Sequence, residues 1–313
     1  MLDIKDLTKV YGQFTALDKL TLQIGGGELH GFVGPNGAGK TTTMRILATL
    51  LLPTSGTAAI EGVDVVKEPK KVRQLVGYMP DFFGVYDHLK SWEYLDFYAR
   101  CYGFSYAQRM RMIDQLLELV NLQDKRDVYV DSLSRGMKQR LCLAHALIHD
   151  PNLLILDEPA SGMDPRARAE MKGILRTLKD MGKTVLISSH ILPELSEMCD
   201  SLTILDHGSL VFSGTVEALS RKMRGQAAVE IRLLPQSDDS MLQSAAEQLK
   251  QFPGVTGITR GDGWDLSVAY EGDGQGAADM LALLLRAGVP VMDFHRPPIN
   301  LEKVFMEVTR NDG

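Results

Sequence analysis

The sequence predicts an α/β domain built on a mainly parallel sheet with a helical insert, followed by a small α+β domain. Three observations lead there. From residue 1 to about 220, short β-rich runs alternate with amphipathic helical ones, separated by Gly and Pro. The runs Leu153 to Leu156 and Thr184 to Ile187 are apolar at nearly every position rather than every second one, as central strands covered on both faces require. Beyond about residue 225 the pattern changes. The 313-residue length gives each of two domains room for its own core.

Taken in order, ELHGFV (residues 28–33) is strand-like and MRILATL (44–50) helical, with a Gly-rich turn between them. Residues 82–106 break the alternation, because ten of the chain's aromatic residues fall there (the total is ten Phe, nine Tyr and two Trp). A helical insert is expected from about 82 to 150. Met171, Ile174, Leu175 and Leu178 follow the i, i+3, i+4, i+7 spacing of a helix with one buried stripe. Between two apolar runs this helix completes a βαβ crossover. Past Gly214 a linking helix is expected through Arg221, Lys222 and Arg224. Val229, Ile231 and Leu233 then alternate as a strand, Leu242, Ala245 and Leu249 repeat as a helix, and Trp264, Leu266, Val268 and Tyr270 alternate again. The expected domains are 1–220 and 221–313, the second a small α+β unit for which a ferredoxin-like arrangement fits.

Composition excludes several classes. Apolar residues make up 44% and charged residues 24% of the chain, which is globular rather than disordered. A net charge of -6 provides no chain-wide basic field, so no nucleic-acid partner is expected. Apolar stretches such as Met280 to Leu285 fall far short of the ~18 residues that cross a bilayer. The start MLDIKDLTK has no secretory pattern, so a cytoplasmic location is expected. Cys101, Cys142 and Cys199 are widely spaced, fitting neither a disulfide framework nor a zinc site; reduced, mostly buried thiols are expected.

The chemistry begins at GPNGAGKTT, comprising Gly34, Pro35, Asn36, Gly37, Ala38, Gly39, Lys40, Thr41 and Thr42. It matches GxxxxGK[ST] between a strand and a helix. Glycines let the backbone wrap closely enough for N–H groups to meet phosphate oxygens, and the helix start adds roughly half a positive charge. Lys40 is then placed to reach the β and γ phosphates, Thr41 to ligate Mg2+, and Thr42 to support the cradle.

Asp157 and Glu158 end the apolar run LLIL, at the carboxyl edge where open α/β sheets bind ligands. The two carboxylates suit two roles, Asp157 at the Mg2+ water shell and Glu158 on the water attacking the γ phosphate. His190 ends TVLISS at the same edge and is able to hydrogen-bond there. LSRGMKQRL, Leu133 to Leu141, opens a helix at Ser134 with a hydroxyl and free N–H groups for an anion.

In this order and at these intervals, GPNGAGKTT, LSRGMKQR, LLILDEPASGMDP and ISSH resemble the nucleotide-binding subunit of an ATP-binding cassette (ABC) transporter. The resemblance covers residues 1 to about 220 and implies a P-loop NTPase sheet with a helical subdomain. It implies that Lys40, Thr41 and Thr42 belong to the Walker A loop and Ser134 and Gly136 to the signature. Asp157 and Glu158 become Walker B, Asp164 lies in the D-loop, His190 is the switch histidine and Tyr11 the aromatic that stacks on adenine. ATP and Mg2+ are the implied cofactors.

Two positions depart from the family's common form. In GYMPD, Asp81 takes the place of the Q-loop glutamine; a carboxylate there can face Mg2+, with a different reach and charge. The signature reads LSRGM where LSGGQ is commonest, with Arg135 and Met137 substituted. LSxGMKQR and the tail NLEKVFMEVTR resemble the export branch. Only one phosphate loop occurs, and in this family the signature completes the site of a second copy. A homodimer closed by ATP is therefore expected, working with separate transmembrane subunits. Phe82, Phe83 and Tyr86 are the candidate dock. Competing readings are a soluble ABC ATPase acting on ribosomes or DNA, a P-loop GTPase, and a binding module with a dead site. The single cassette and acidic charge, the lack of an NKxD segment, and Glu158 with His190 weigh against them in turn.

Overall fold

In the computed structural model, residues 1–81, 84, 88–219, 228–234, 239–261 and 263–296 are described. Phe82, Phe83, Tyr86, the run holding Arg221, Lys222 and Arg224, and the tail NLEKVFMEVTR lie outside them. The chain divides into two compact units, Met1–Val216 and Glu217–Gly313.

In the first unit, β1 (Leu2–Tyr11) and β2 (Phe14–Ile24) form a hairpin that joins β4 (Ser55–Ile60) and β5 (Val63–Asp64) in an antiparallel sheet ordered β2-β1-β4-β5. The second sheet holds β3 (Leu29–Val33), β6 (Val76–Met79), β7 (Leu153–Leu156), β8 (Thr184–Ser189), β9 (Ser201–Asp206) and β10 (Ser209–Thr215), ordered β10-β9-β3-β8-β7-β6. All its pairs are parallel except β9 with β10. Every residue of β3, β7 and β8 is buried, which is why LLIL and the Val185–Ile187 run are continuously apolar, while the polar His30, Thr184 and Ser188 are buried with hydrogen-bond partners. Between the sheets' apolar faces, Met44, Ile46 and Leu47 of α1 (Lys40–Leu47) share one core with Leu7 and Leu20 of the hairpin and with Phe32, Ile155 and Leu186. α2 (Pro69–Leu75) leads into β6.

The insert forms α3 (Ser91–Cys101), α4 (Tyr106–Leu119) and α5 (Arg135–Ala146). Its aromatic richness is partly core: Tyr94 is buried, Tyr98 stacks on His145 at 3.7 Å, and Tyr102 stacks on His149 at 4.6 Å. Buried charge ties the helices together. Asp96 accepts from Arg100 Nε at 2.7 Å and from Arg109 Nε at 2.5 Å, joining α3 to α4. Arg140, buried on α5, donates to the carbonyls of Val120 and Asn121 and pairs with Glu170 of α6 (Pro165–Asp180) at 3.1 Å. A buried guanidinium is tolerable only with partners of this kind. α7 (Leu192–Ser196) follows β8.

In the second unit, β11 (Ala228–Leu233), α8 (Asp239–Lys250), β12 (Val255–Arg260), β13 (Asp265–Tyr270), α9 (Gly274–Arg286) and β14 (Val291–His295) succeed one another. The sheet is antiparallel, ordered β12-β13-β11-β14, the ferredoxin-like βαββαβ arrangement. Val229, Ile231 and Leu233 face a core with Leu242 and Leu249 of α8 and Met280 and Leu284 of α9. Period-2 strands and period-3.6 helices thus meet on one apolar layer.

Candidate active site

Register builds the site. Val33 pairs with Ser189, and Leu156 pairs with both Ile187 and Met79. The residues that follow, Gly34, Asp157 and His190, therefore leave three neighbouring parallel strands at one edge. The turn after β3 wraps tightly into α1. Gly39 has φ +99°, and a Cβ there would meet Leu17 Cδ2 at 2.6 Å and Ala16 O at 2.7 Å. A Cβ on Gly34 would meet Leu205 O at 2.5 Å. The loop is seated against β2 and β9 so closely that only glycine fits at either position. Thr41 and Thr42 open α1, where backbone N–H groups have no acceptor within the helix.

Lys40 is buried, and its ammonium donates to Gly34 O at 2.5 Å and Pro35 O at 3.1 Å. Burial pulls the Lys40 amine below its ordinary range, and the Glu158 and Asp157 carboxylates draw it back up. Asp157 is buried and accepts from Ser188 Oγ at 2.7 Å, while Ser188 Oγ accepts from the Glu158 N–H at 2.9 Å. One hydroxyl therefore fixes both acidic residues. Glu158 has φ +49°, a left-handed backbone that is uncommon for residues other than Gly, Asn and Asp and that gathers at functional sites. Its carboxylate meets His190 Nδ1 at 3.2 and 3.1 Å. An ionised carboxylate only accepts, so Nδ1 carries the hydrogen and Nε2 is left for another partner. Burial raises the Glu158 carboxyl above its ordinary range, against the pull of His190 and Lys40. Burial and Asp157 likewise raise Asp81, with Arg135 and His190 opposing. Among the described residues no cluster of three or more His, Cys, Asp or Glu stands ready as a self-contained metal site.

The sequence profile of the family described as "ABC transporter" matches residues 17–161. The daunorubicin/doxorubicin resistance ATP-binding protein DrrA of Streptomyces peucetius is 35% identical over 309 residues, spanning 98% of this chain and 92% of that protein. The chain belongs to the ATP-binding subunits of ABC transporters. A Nod factor export ATP-binding protein I of Cupriavidus metallidurans is 35% identical over 312 residues, covering 99% of this chain and 97% of the relative. A solved "ATP binding subunit of ABC transporter" superposes with a TM-score of 0.64 at 32% identity, covering 71% of this chain and 93% of that one. The chain is an ABC ATPase.

Of the residues singled out for this ABC ATPase, the fold gathers Lys40, Asp157, Glu158 and His190, with Asp81 in electrostatic reach. Tyr11 sits at the exposed end of the β1–β2 hairpin, with Lys9 Nζ 5.0 Å from its ring centroid. No hydrogen bond ties Ser134 to the phosphate loop among the described residues. Ser134 Oγ accepts from the Met137 N–H at 3.3 Å as the N-cap of α5, and a Cβ on Gly136 would meet Ala167 of α6 at 2.9 Å. Sequence reasoning missed Ser188. Its signal was a hydroxyl two residues before His190, level with Asp157 in the parallel register.

Proposed function

We propose that this ATPase powers a membrane export complex, two copies closing on ATP and reopening after hydrolysis. The observation that supports it most is the joint placement of Lys40, Asp157, Glu158 and His190 at one sheet edge, with no hydrogen bond from Ser134 to the phosphate loop among the described residues. In this reading the Gly34–Thr42 backbone and Lys40 grip the phosphates of one ATP, Tyr11 stacks on its adenine, and Ser134 with Gly136 of a second copy complete the grip. Glu158 takes a proton from the attacking water; its raised proton affinity suits a base. His190, oriented through Nδ1, offers Nε2 to the γ phosphate. Each ATP shifts the open-closed balance only through its tighter binding to the closed pair.

The donor set fits Mg2+, because the negative charge of Asp157 helps to raise the Asp81 carboxyl above its ordinary range, and a divalent cation relieves such a gathering of carboxylates. Thr41 and Asp157 would hold it, with Asp81 facing it. Bound there, the ion supplies positive charge to the β and γ phosphate oxygens.

No helix among the described residues is long and apolar enough to cross a membrane, so separate transmembrane subunits would carry the cargo. The chain would sit at the cytoplasmic face through them. The relatives' names, drug resistance and Nod factor export, support the export assignment.

Mixing two inactive variants tests the shared site. Lys40→Ala and Ser134→Arg should each lack ATPase activity as pure proteins. Together they should regain roughly a quarter of the unmodified rate, because statistical pairing leaves one intact composite site in half of the two-fold dimers. No recovery on mixing would contradict a site built from two copies.

A further inference from the structure

Arg135, one of the two signature substitutions, is in contact with the D-loop of its own chain. A Cβ built on Gly162 would fall 2.4 Å from Arg135 Nη1, 2.5 Å from Cζ and 2.9 Å from Nη2. The guanidinium thus occupies the space into which any other residue at 162 would project its side chain. One turn further along α5, buried Gln139 donates from Nε2 to Ser161 O at 3.2 Å. Its Oε1 is buried without a partner among the described residues, so the side chain is held there by the single bond to the loop. The segment these two residues touch is short and starts at the proposed base: Ser161 N–H donates to Glu158 O at 3.0 Å, and Met163 N–H to Ala160 O at 3.3 Å. A strained residue such as Glu158 at φ +49° keeps its conformation only where its surroundings over-determine it.

We propose that Arg135 is a positioning residue of the ATPase reaction, bracing with Gln139 the loop from Glu158 to Met163 so that the Glu158 carboxylate stays beside His190. The inference rests on the role proposed for Glu158. The planar guanidinium suits the task because Cζ and both terminal nitrogens approach the side-chain-free Gly162 together, which the compact ammonium of Lys cannot reproduce.

A double-mutant cycle on the full chain, read as steady-state ATPase activity with Mg2+, tests the brace. Arg135→Ala should lower kcat by about three- to tenfold with KM for ATP unchanged, within the range of coupled positioning contacts. Gly162→Ala pushes its methyl into the guanidinium and should cost about tenfold in kcat, but at most about threefold when Arg135 is already Ala. The left-handed strain of Ala at φ +66° is common to both backgrounds and cancels. Effects that simply multiply would overturn the brace, as would a raised KM with unchanged kcat, which would instead mark a direct nucleotide contact. If Gly162→Ala fails to fold, amide exchange in Arg135→Ala decides. Exchange over residues 158–163 should quicken while that of β11 to β14 stays as in the parent chain; unaltered exchange over 158–163 overturns the proposal. That readout does not depend on turnover. A Glu158→Gln variant that still hydrolyses ATP would therefore count against the assignment of Glu158, not against the brace.

Discussion

The carboxyl ends of β3, β7 and β8 and the first turn of α5 carry the two motif-rich regions of the ATPase unit, and they are built in opposite ways. At the strand ends, polar groups complete one another within the chain: Lys40 on loop carbonyls, Asp157 and Glu158 on Ser188, Glu158 on His190. At the start of α5, Ser134 is exposed and caps its own helix, and no hydrogen bond links it to the phosphate loop among the described residues. One region is a preorganised half-site. The other is a helix start whose hydroxyl caps its own helix, in contact with the segment after Glu158 through Arg135 and Gln139. In the proposed function a second copy finishes the chemistry.

The strongest attack on the comparison removes the base. Glu158→Gln keeps the shape and the left-handed backbone, so ATP binding should persist while turnover falls by about 10²- to 10⁴-fold. Normal turnover would show that the strand-end cluster is structural.

Acid sharpens the comparison, because the strand and the helix that carry the two regions each hold a desolvated histidine away from the motif, His30 near the start of β3 and His145 in the last turn of α5. His30 on β3, between Ser201 Oγ and Thr203 Oγ1, is held down to about 4 by burial, and His145 on α5 to about 4 by burial with His149 nearby. Above pH 6.5 both states are neutral and neither residue affects stability. Below it the unfolded chain takes up a proton that the folded chain refuses, so stability falls down to about pH 4, by about 3 kcal/mol per histidine. Urea unfolding against pH should show this loss as one transition. His30→Gln and His145→Phe should each flatten it, since Arg140 and the shared packing bind α5 to α4 and α6. Flattening by one variant alone would mean that the two regions unfold separately.

The smallest of these three effects is expected for Ser188→Ala. Losing a hydrogen bond to a buried carboxylate costs about 1.5–3 kcal/mol, and should lower kcat by roughly ten- to a hundredfold while ATP-dependent association is preserved. An unchanged kcat would remove Ser188 from the site.

Much of this was legible in the sequence for physical reasons. GPNGAGKTT announces itself because close backbone wrapping demands glycine where Gly34 and Gly39 stand, and LLIL and the VLI of TVLISS because strands covered on both faces favour unbroken apolar runs. The tail's period-2 and period-3.6 runs foretold strands and helices that pair as βαββαβ. The hidden parts are those set by long-range neighbours. Nothing near residue 2 or 55 says that β1, β2, β4 and β5 form a separate antiparallel sheet. Arg140 sits in an apolar stripe, and only its partners Glu170, Val120 and Asn121 explain its burial. Ser188 and the contact of Arg135 with Gly162 depend on register and side-chain reach across elements far apart in the chain.

The central claim is that ATP joins two copies of this chain. Sedimentation of Glu158→Gln with ATP and Mg2+, against the same protein with ADP, tests it most directly. The account predicts a doubled mass with ATP and the single-chain mass with ADP; a single-chain mass in both, with ATP demonstrably bound, would contradict it.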